Sequence, residues 1–203
     1  QHSDYYKKNS DIPLPDYIAV NNRSFGNELQ KFHSKNILIE LEALRYTWLD
    51  ELEEVKIDYP SRILVLGDYL EDLTRKLLDS IHPAIIEMQS KYKFSLKLHH
   101  NEPMRSFDFK DLDIEVVKQN LKEIIKNYDI CICGNMTYGA VDAFLAGLDV
   151  IVFVPNNEID ISPLQERHVS LYHDEKELVN LLKNYTKIQN VKKDNLLFIN
   201  KDL

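Results

Sequence analysis

"YDICICGNMTYGAVDAFLAGLDVIVFV", residues 128–154, decides the fold. An apolar run ends at Gly134, and a short polar turn follows. A segment carrying one charge, Asp142, then leads to Gly147, where a second apolar run begins at once. The pattern is strand, turn, helix, glycine stop, strand. Strands that are apolar at every position are buried on both faces, which points to a parallel sheet covered by helices above and below.

The same alternation extends outward in both directions. "YPSRILVLG" marks a fresh start, because Pro60 and Ser61 interrupt the pattern and "RILVL" is wholly apolar apart from its first residue. Helices are expected at 69–81 and 83–92, and again at 113–126, 137–146 and 174–184. Strands are expected at 63–66, 94–98, 129–133, 150–154 and 168–172. The fold class is α/β, a Rossmann-like parallel sheet with helices on both faces and right-handed crossovers. Residues 1–16 are polar and Pro-bearing, which suggests an arm or loop. Behind them come a strand candidate at 17–21, a helix at 23–33 and a strand at 36–40. A helical spacing of Leu41, Leu44, Trp48, Leu52 and Val55 follows. The most linker-like stretch lies near 58–61. Residues 1–58 are too few to bury a good core alone and read as an arm or the tail of a preceding domain. Residues 59–203 form the Rossmann-like domain.

Composition narrows the function classes. With 44% hydrophobic and 29% charged residues the chain is that of an ordinary globular protein. A net charge of -8 without a run of Lys and Arg argues against bulk attraction to nucleic acid or anionic membrane, and leaves room for a local basic pocket. No run of about 18 apolar residues exists to span a bilayer. Cys131 and Cys133 share one face of one strand, too close for an unstrained bridge, so they are expected as buried thiols in a reducing compartment. The chain opens on Gln1 without a leader-like segment, and the expectation is a cytoplasmic protein or part of one.

In open parallel sheets ligands bind beyond the carboxyl ends of the strands. One such loop is "GNMTYG". Gly134 allows a tight turn, Asn135 and Thr137 bring polar groups, and Gly139 opens the backbone at the start of a helix whose free N–H groups attract anions. The bland alternative makes Thr137 a helix cap and Gly139 a close helix–strand contact. Tyr138 and Asp142 share one stripe of that helix, and an acid there needs a partner. A ribose would supply one, and so would a nearby lysine. A second loop, "KLHHNEPMR", gathers Lys97, His99, His100 and Arg105. The two histidines should diverge in an extended chain, and no third ligand has a fitting spacing, so no metal is expected. No cofactor is expected either. "GDYLED" lacks the second glycine of a dinucleotide fingerprint, and neither a Walker sequence nor a G-x-S-x-G elbow is present.

"NMTYGAVDAFLAGLDVIVF" resembles the donor-domain signature of GT-B-fold glycosyltransferases, a turn followed by an acid-bearing helix, a glycine and a strand. "KLHH" is similar to the K-x-H-P motif of capsule and sialic-acid-type transferases, with His100 in place of the proline. "PLPDYIAVNNRSFGNELQKF", followed by "LEALRY", is similar to bacterial surface-carbohydrate (O-antigen or capsule) biosynthesis proteins, and "QHS" at the start to the remnant of their Gln-His turn. The resemblance implies a nucleotide-sugar donor, a glycan acceptor and transfer without a metal. It implies that His99 contacts the donor phosphate and acts in catalysis, with Lys97 beside it. Asn135, Thr137, Tyr138, Gly139 and the adjoining backbone would cradle the nucleotide, and Asp142, where glutamate is usual, would hold the ribose. It places most of the acceptor-side domain upstream of Gln1, and with it any peripheral membrane association. Two other readings stand beside it: a nucleotide-sugar 2-epimerase-like isomerase, and a non-catalytic Rossmann-like binding domain.

Overall fold

The computed structural model describes residues 15–32, 37–51, 62–100, 112–164 and 169–186. The described residues up to Glu51 belong to one compact unit, and those from Arg62 to Thr186 to another. The linker expected near 58–61 lies outside the described residues.

The first unit opens with a strand, helix and strand. β1 (Tyr17–Val20) and β2 (Ile37–Glu40) pair in parallel, with α1 (Arg23–Phe32) between them in sequence. The Leu41 N–H donates to Val20 O at 2.8 Å and continues the ladder by one bond. The helix expected from Leu41 onward is instead a 3-10 helix, Leu44–Glu51. Its packing explains the difference. Leu41 and Leu44 are exposed, whereas Ala43 and Tyr46 are buried three residues apart, the repeat of a three-residue turn.

The second unit carries the six-stranded sheet. Its strands are β3 (Arg62–Leu66), β4 (Lys93–Lys97), β5 (Glu115–Val116), β6 (Ile130–Gly134), β7 (Asp149–Phe153) and β8 (Ser170–Tyr172). The order is β5-β4-β3-β6-β7-β8, and every pair is parallel. The period-two rule sorts the strand residues to two faces. Ile63, Val65, Phe94, Leu96, Ile130, Ile132, Ile151 and Tyr172 form a core with Leu77, Ile81 and Ile85 of α2 (Glu71–Met88) and with Leu178 and Leu182 of α5 (Glu175–Lys183). The opposite face presents Leu66, over which α4 (Gly139–Ala146) begins. Cys131 and Cys133 are free and buried in β6. Contact with Cys133, and after it burial, holds the Cys131 thiol well above the ordinary thiol range.

Two expectations are corrected. The helices expected at 69–81 and 83–92 are one helix, α2, with Pro83 inside it. An interior proline costs about 3 kcal/mol. Beyond it, Ile85 and Met88 are buried and contribute about 1.5–3 kcal/mol each, enough to carry the helix onward. The helix expected at 113–126 divides into β5 and a short α3 (Leu121–Ile124) that ends in a 3-10 turn, Ile125–Asn127. The β-branched run Ile114, Val116, Val117 suits an edge strand, and the Val117 N–H donates to Leu96 O at 2.9 Å.

Candidate functional site

The chain runs outward from β3 to β4 and β5, then returns to the other side of β3 for β6, β7 and β8. The reversal between β3 and β6 leaves a crevice at their carboxyl ends, where open α/β sheets hold ligands. Two loops meet there. After β3, the Gly67 N–H donates to Lys97 O at 2.9 Å, and the Asp68 N–H donates to Thr74 Oγ1 at 2.9 Å. Asp68 is only 4% exposed. Its side-chain Oδ1 accepts the Tyr69 N–H at 2.7 Å, and its Oδ2 accepts the Thr137 hydroxyl of the β6–α4 loop at 3.0 Å. Gly134 makes room for this carboxylate, since a Cβ at that position would lie 3.2 Å from Asp68 Oδ2.

A cleft of about 370 Å³ opens beside Asp68. Met136, Phe153, Ile159 and Ile161 give it a mostly apolar lining, and Lys76 and Glu158, paired at 3.3 Å, lie at its wall. Asn135 shapes the cleft. Its Nδ2 donates to Ile159 O at 2.7 Å and its Oδ1 accepts the Ile161 N–H at 2.9 Å, so the β7–β8 loop hangs from one buried amide.

The residues expected to bind phosphate divide by this geometry. No side-chain oxygen caps α4, and the Thr137 hydroxyl instead donates its proton to Asp68. The helix starts at Gly139, after Tyr138 in helical conformation with no side-chain cap. The Ala140 and Val141 N–H groups already bond to Thr137 O and Tyr138 O at 3.1 and 3.0 Å. Gly139 faces the sheet, where a Cβ would approach Leu66 Cδ1 to 2.9 Å, so this glycine serves close helix–strand packing. The amide of Asn135 is engaged at both ends within the fold. Asp142 is 7% exposed, holds interactions inside the protein and is not among the residues lining the cleft. Tyr138 is exposed beside the turn.

Lys97 ends β4, next to the loop after β3, and its Nζ lies 3.5 Å from Leu98 O. The His99 ring meets Tyr69 edge to face, with centroids 5.4 Å apart. The expectation that His99 and His100 diverge is corrected. Their rings lie 4.4 Å apart, because both residues follow the end of β4 and His100 sits in a turn rather than an extended strand. Arg105 lies outside the described residues. The residue that sequence reasoning missed is Asp68. Its signal was its place directly after the glycine that follows β3, inside a loop considered only for glycines. Among the described residues no group of three or more His, Cys, Asp or Glu could hold a metal ion, and no helix is long and apolar enough to cross a membrane.

No protein-family model matches the sequence, and no curated protein matches it. Among solved structures the chain is similar to the C-terminal domain of a glycosyl transferase group 1 family protein (LpcC) from Francisella tularensis. The likeness has a TM-score of 0.42 and 13% sequence identity, covering 67% of this chain and 78% of that one.

Proposed function

We propose that this chain binds a nucleotide sugar in the crevice between β3 and β6 and forms the donor side of a glycosyltransferase acting on a bacterial surface glycan. The observation that carries the reading is the strand-order reversal, with the Asp68–Thr137 bond lying within it. A carboxyl-edge crevice at such a reversal is the default nucleotide position of this architecture. The order of the sequence motifs supports the transferase assignment. Lys97 and His99, at the neighbouring strand end, would neutralise a departing phosphate, and catalysis would rest on that stabilisation.

The test is a thermal-shift panel of nucleotide sugars, nucleoside diphosphates, nucleosides and free sugars on the full chain. Ligand at 100 times its Kd stabilises by about 2.7 kcal/mol. Diphosphates and nucleotide sugars should shift the transition, and free sugars should not. Lys97→Ala and His99→Ala should weaken diphosphates and leave nucleosides nearly unchanged. A panel in which no nucleotide shifts the transition overturns the reading.

A further inference from the structure

The cleft beside Asp68 has a composition that suits a flat ring better than a sugar. Met136, Ile159 and Ile161 line it yet stay 53%, 82% and 56% exposed, leaving apolar surface in water at its mouth. Phe153 stacks one face on Tyr172, with centroids 5.0 Å apart, and also lines the cleft. At about 370 Å³ the cleft falls in the range of small-ligand pockets. Hydroxyl-covered sugars gain little from such walls, whereas the faces of a heteroaromatic base gain from stacking and burial.

Asp68 sets the polar requirement. A carboxylate has about four acceptor positions on its two oxygens, and two of them are used here, by the Tyr69 N–H and the Thr137 hydroxyl. One further position on each oxygen remains for a ligand, and the carboxylate contributes no donor. Among nucleobases only guanine presents two adjacent donors on one edge, the ring N1–H and the exocyclic amine. Uracil flanks its single N–H with carbonyl oxygens. Adenine and cytosine place a bare ring nitrogen beside the amine, and that lone pair would face the carboxylate. A paired approach of two parallel N–H groups is also the stronger and more directional geometry for a carboxylate.

We propose that this cleft is a base pocket in which Asp68 reads the Watson–Crick edge of guanine, so that the ligand class is a guanosine diphosphate or its sugar ester. The inference rests on the nucleotide reading above and adds the identity of the base.

Calorimetry of the full chain with GDP, UDP, CDP and ADP tests it, together with Asp68→Asn titrated with GDP and with xanthosine diphosphate. In xanthine a carbonyl replaces the exocyclic amine. Asparagine offers one acceptor and one donor, which matches that edge and still meets the Tyr69 N–H and the Thr137 hydroxyl. The expected result is GDP tighter than the other three by about tenfold or more, with Asp68→Asn reversing the order of GDP and xanthosine diphosphate. Equal binding of all four bases, or a preference for another base, overturns the guanine assignment and leaves nucleotide binding standing. So does a uniform loss in Asp68→Asn. Failure of every nucleotide to bind overturns both. Should Asp68→Asn not fold, the ranking of the four bases by the wild-type chain decides the matter alone.

Discussion

The Thr137 hydroxyl donates to Asp68 Oδ2 at 3.0 Å and ties together two loops that lie 69 residues apart in the chain. The bond bridges the two strand ends between which the sheet order reverses, so it sets the width of the crevice. Thr137→Val keeps the shape and removes the donor. It should cost about 1–3 kcal/mol, because a buried carboxylate oxygen loses its partner. Thr137→Ser should restore most of that. Urea denaturation of the two variants checks it, and an unchanged midpoint in Thr137→Val would show that the hydroxyl contributes nothing.

Asn135→Ala should free the β7–β8 loop while leaving the sheet intact. The Ile161 amide loses its acceptor, so its hydrogen exchange should accelerate by an order of magnitude or more, while exchange in β3 and β6 stays slow. Unchanged protection at Ile161 would mean that the loop is held by its side chains instead.

The glycines that bound α4 should respond differently to alanine. Gly147 has φ 99° and its N–H bonds back to the helix, so Gly147→Ala should cost about 1–2 kcal/mol from left-handed strain. Gly139 has ordinary backbone angles, and alanine there would gain about 1 kcal/mol of helix propensity in open space. The approach of its Cβ to Leu66 Cδ1 should cancel that gain or reverse it. Thermal unfolding distinguishes the cases. A clearly stabilised Gly139→Ala variant would show that Leu66 repacks freely.

Tyr172 and Tyr185 predict the alkaline behaviour. Burial lifts both hydroxyls well above the ordinary tyrosine value, and for Tyr185 the hydrogen bond to Asp149 adds to it. The folded chain keeps protons that the unfolded chain releases. Their contribution to stability is therefore complete below about pH 10 and falls as pH rises beyond it. Urea midpoints measured from about pH 8 to about pH 11 should decline at the upper end, and less steeply in a Tyr172→Phe, Tyr185→Phe double variant. Identical slopes would place the alkaline loss elsewhere.

The parallel sheet was legible because its strands are apolar on both faces, and β6–α4–β7 carries its own glycine stop. The element at 113–126 was not. Its apolar residues fit a helical repeat as well as they fit an edge strand, and pairing with β4 decided between them. The break expected between 81 and 83 is closed by the core, since burial of Ile85 and Met88 carries α2 on past Pro83. At the site, the crevice could be placed from strand ends alone, but the use of each side chain could not. Thr137, Asn135 and Gly139 are the residue types a phosphate loop wants, and all three are engaged within the fold. Their partners, Asp68, the Ile159–Ile161 backbone and Leu66, are distant in sequence from the turn they meet. Nothing in the spacing of "GNMTYG" reports them.

The suspension of the β7–β8 loop has a consequence for how this surface could diversify. Asn135 grips the carbonyl of Ile159 and the amide of Ile161, groups that every residue except proline provides in full. The side chains at 159 and 161 are therefore interchangeable parts on a fixed mount. A lineage could exchange them one at a time and alter what the mouth of the cleft accepts, while the backbone path stays in place so long as position 135 remains asparagine.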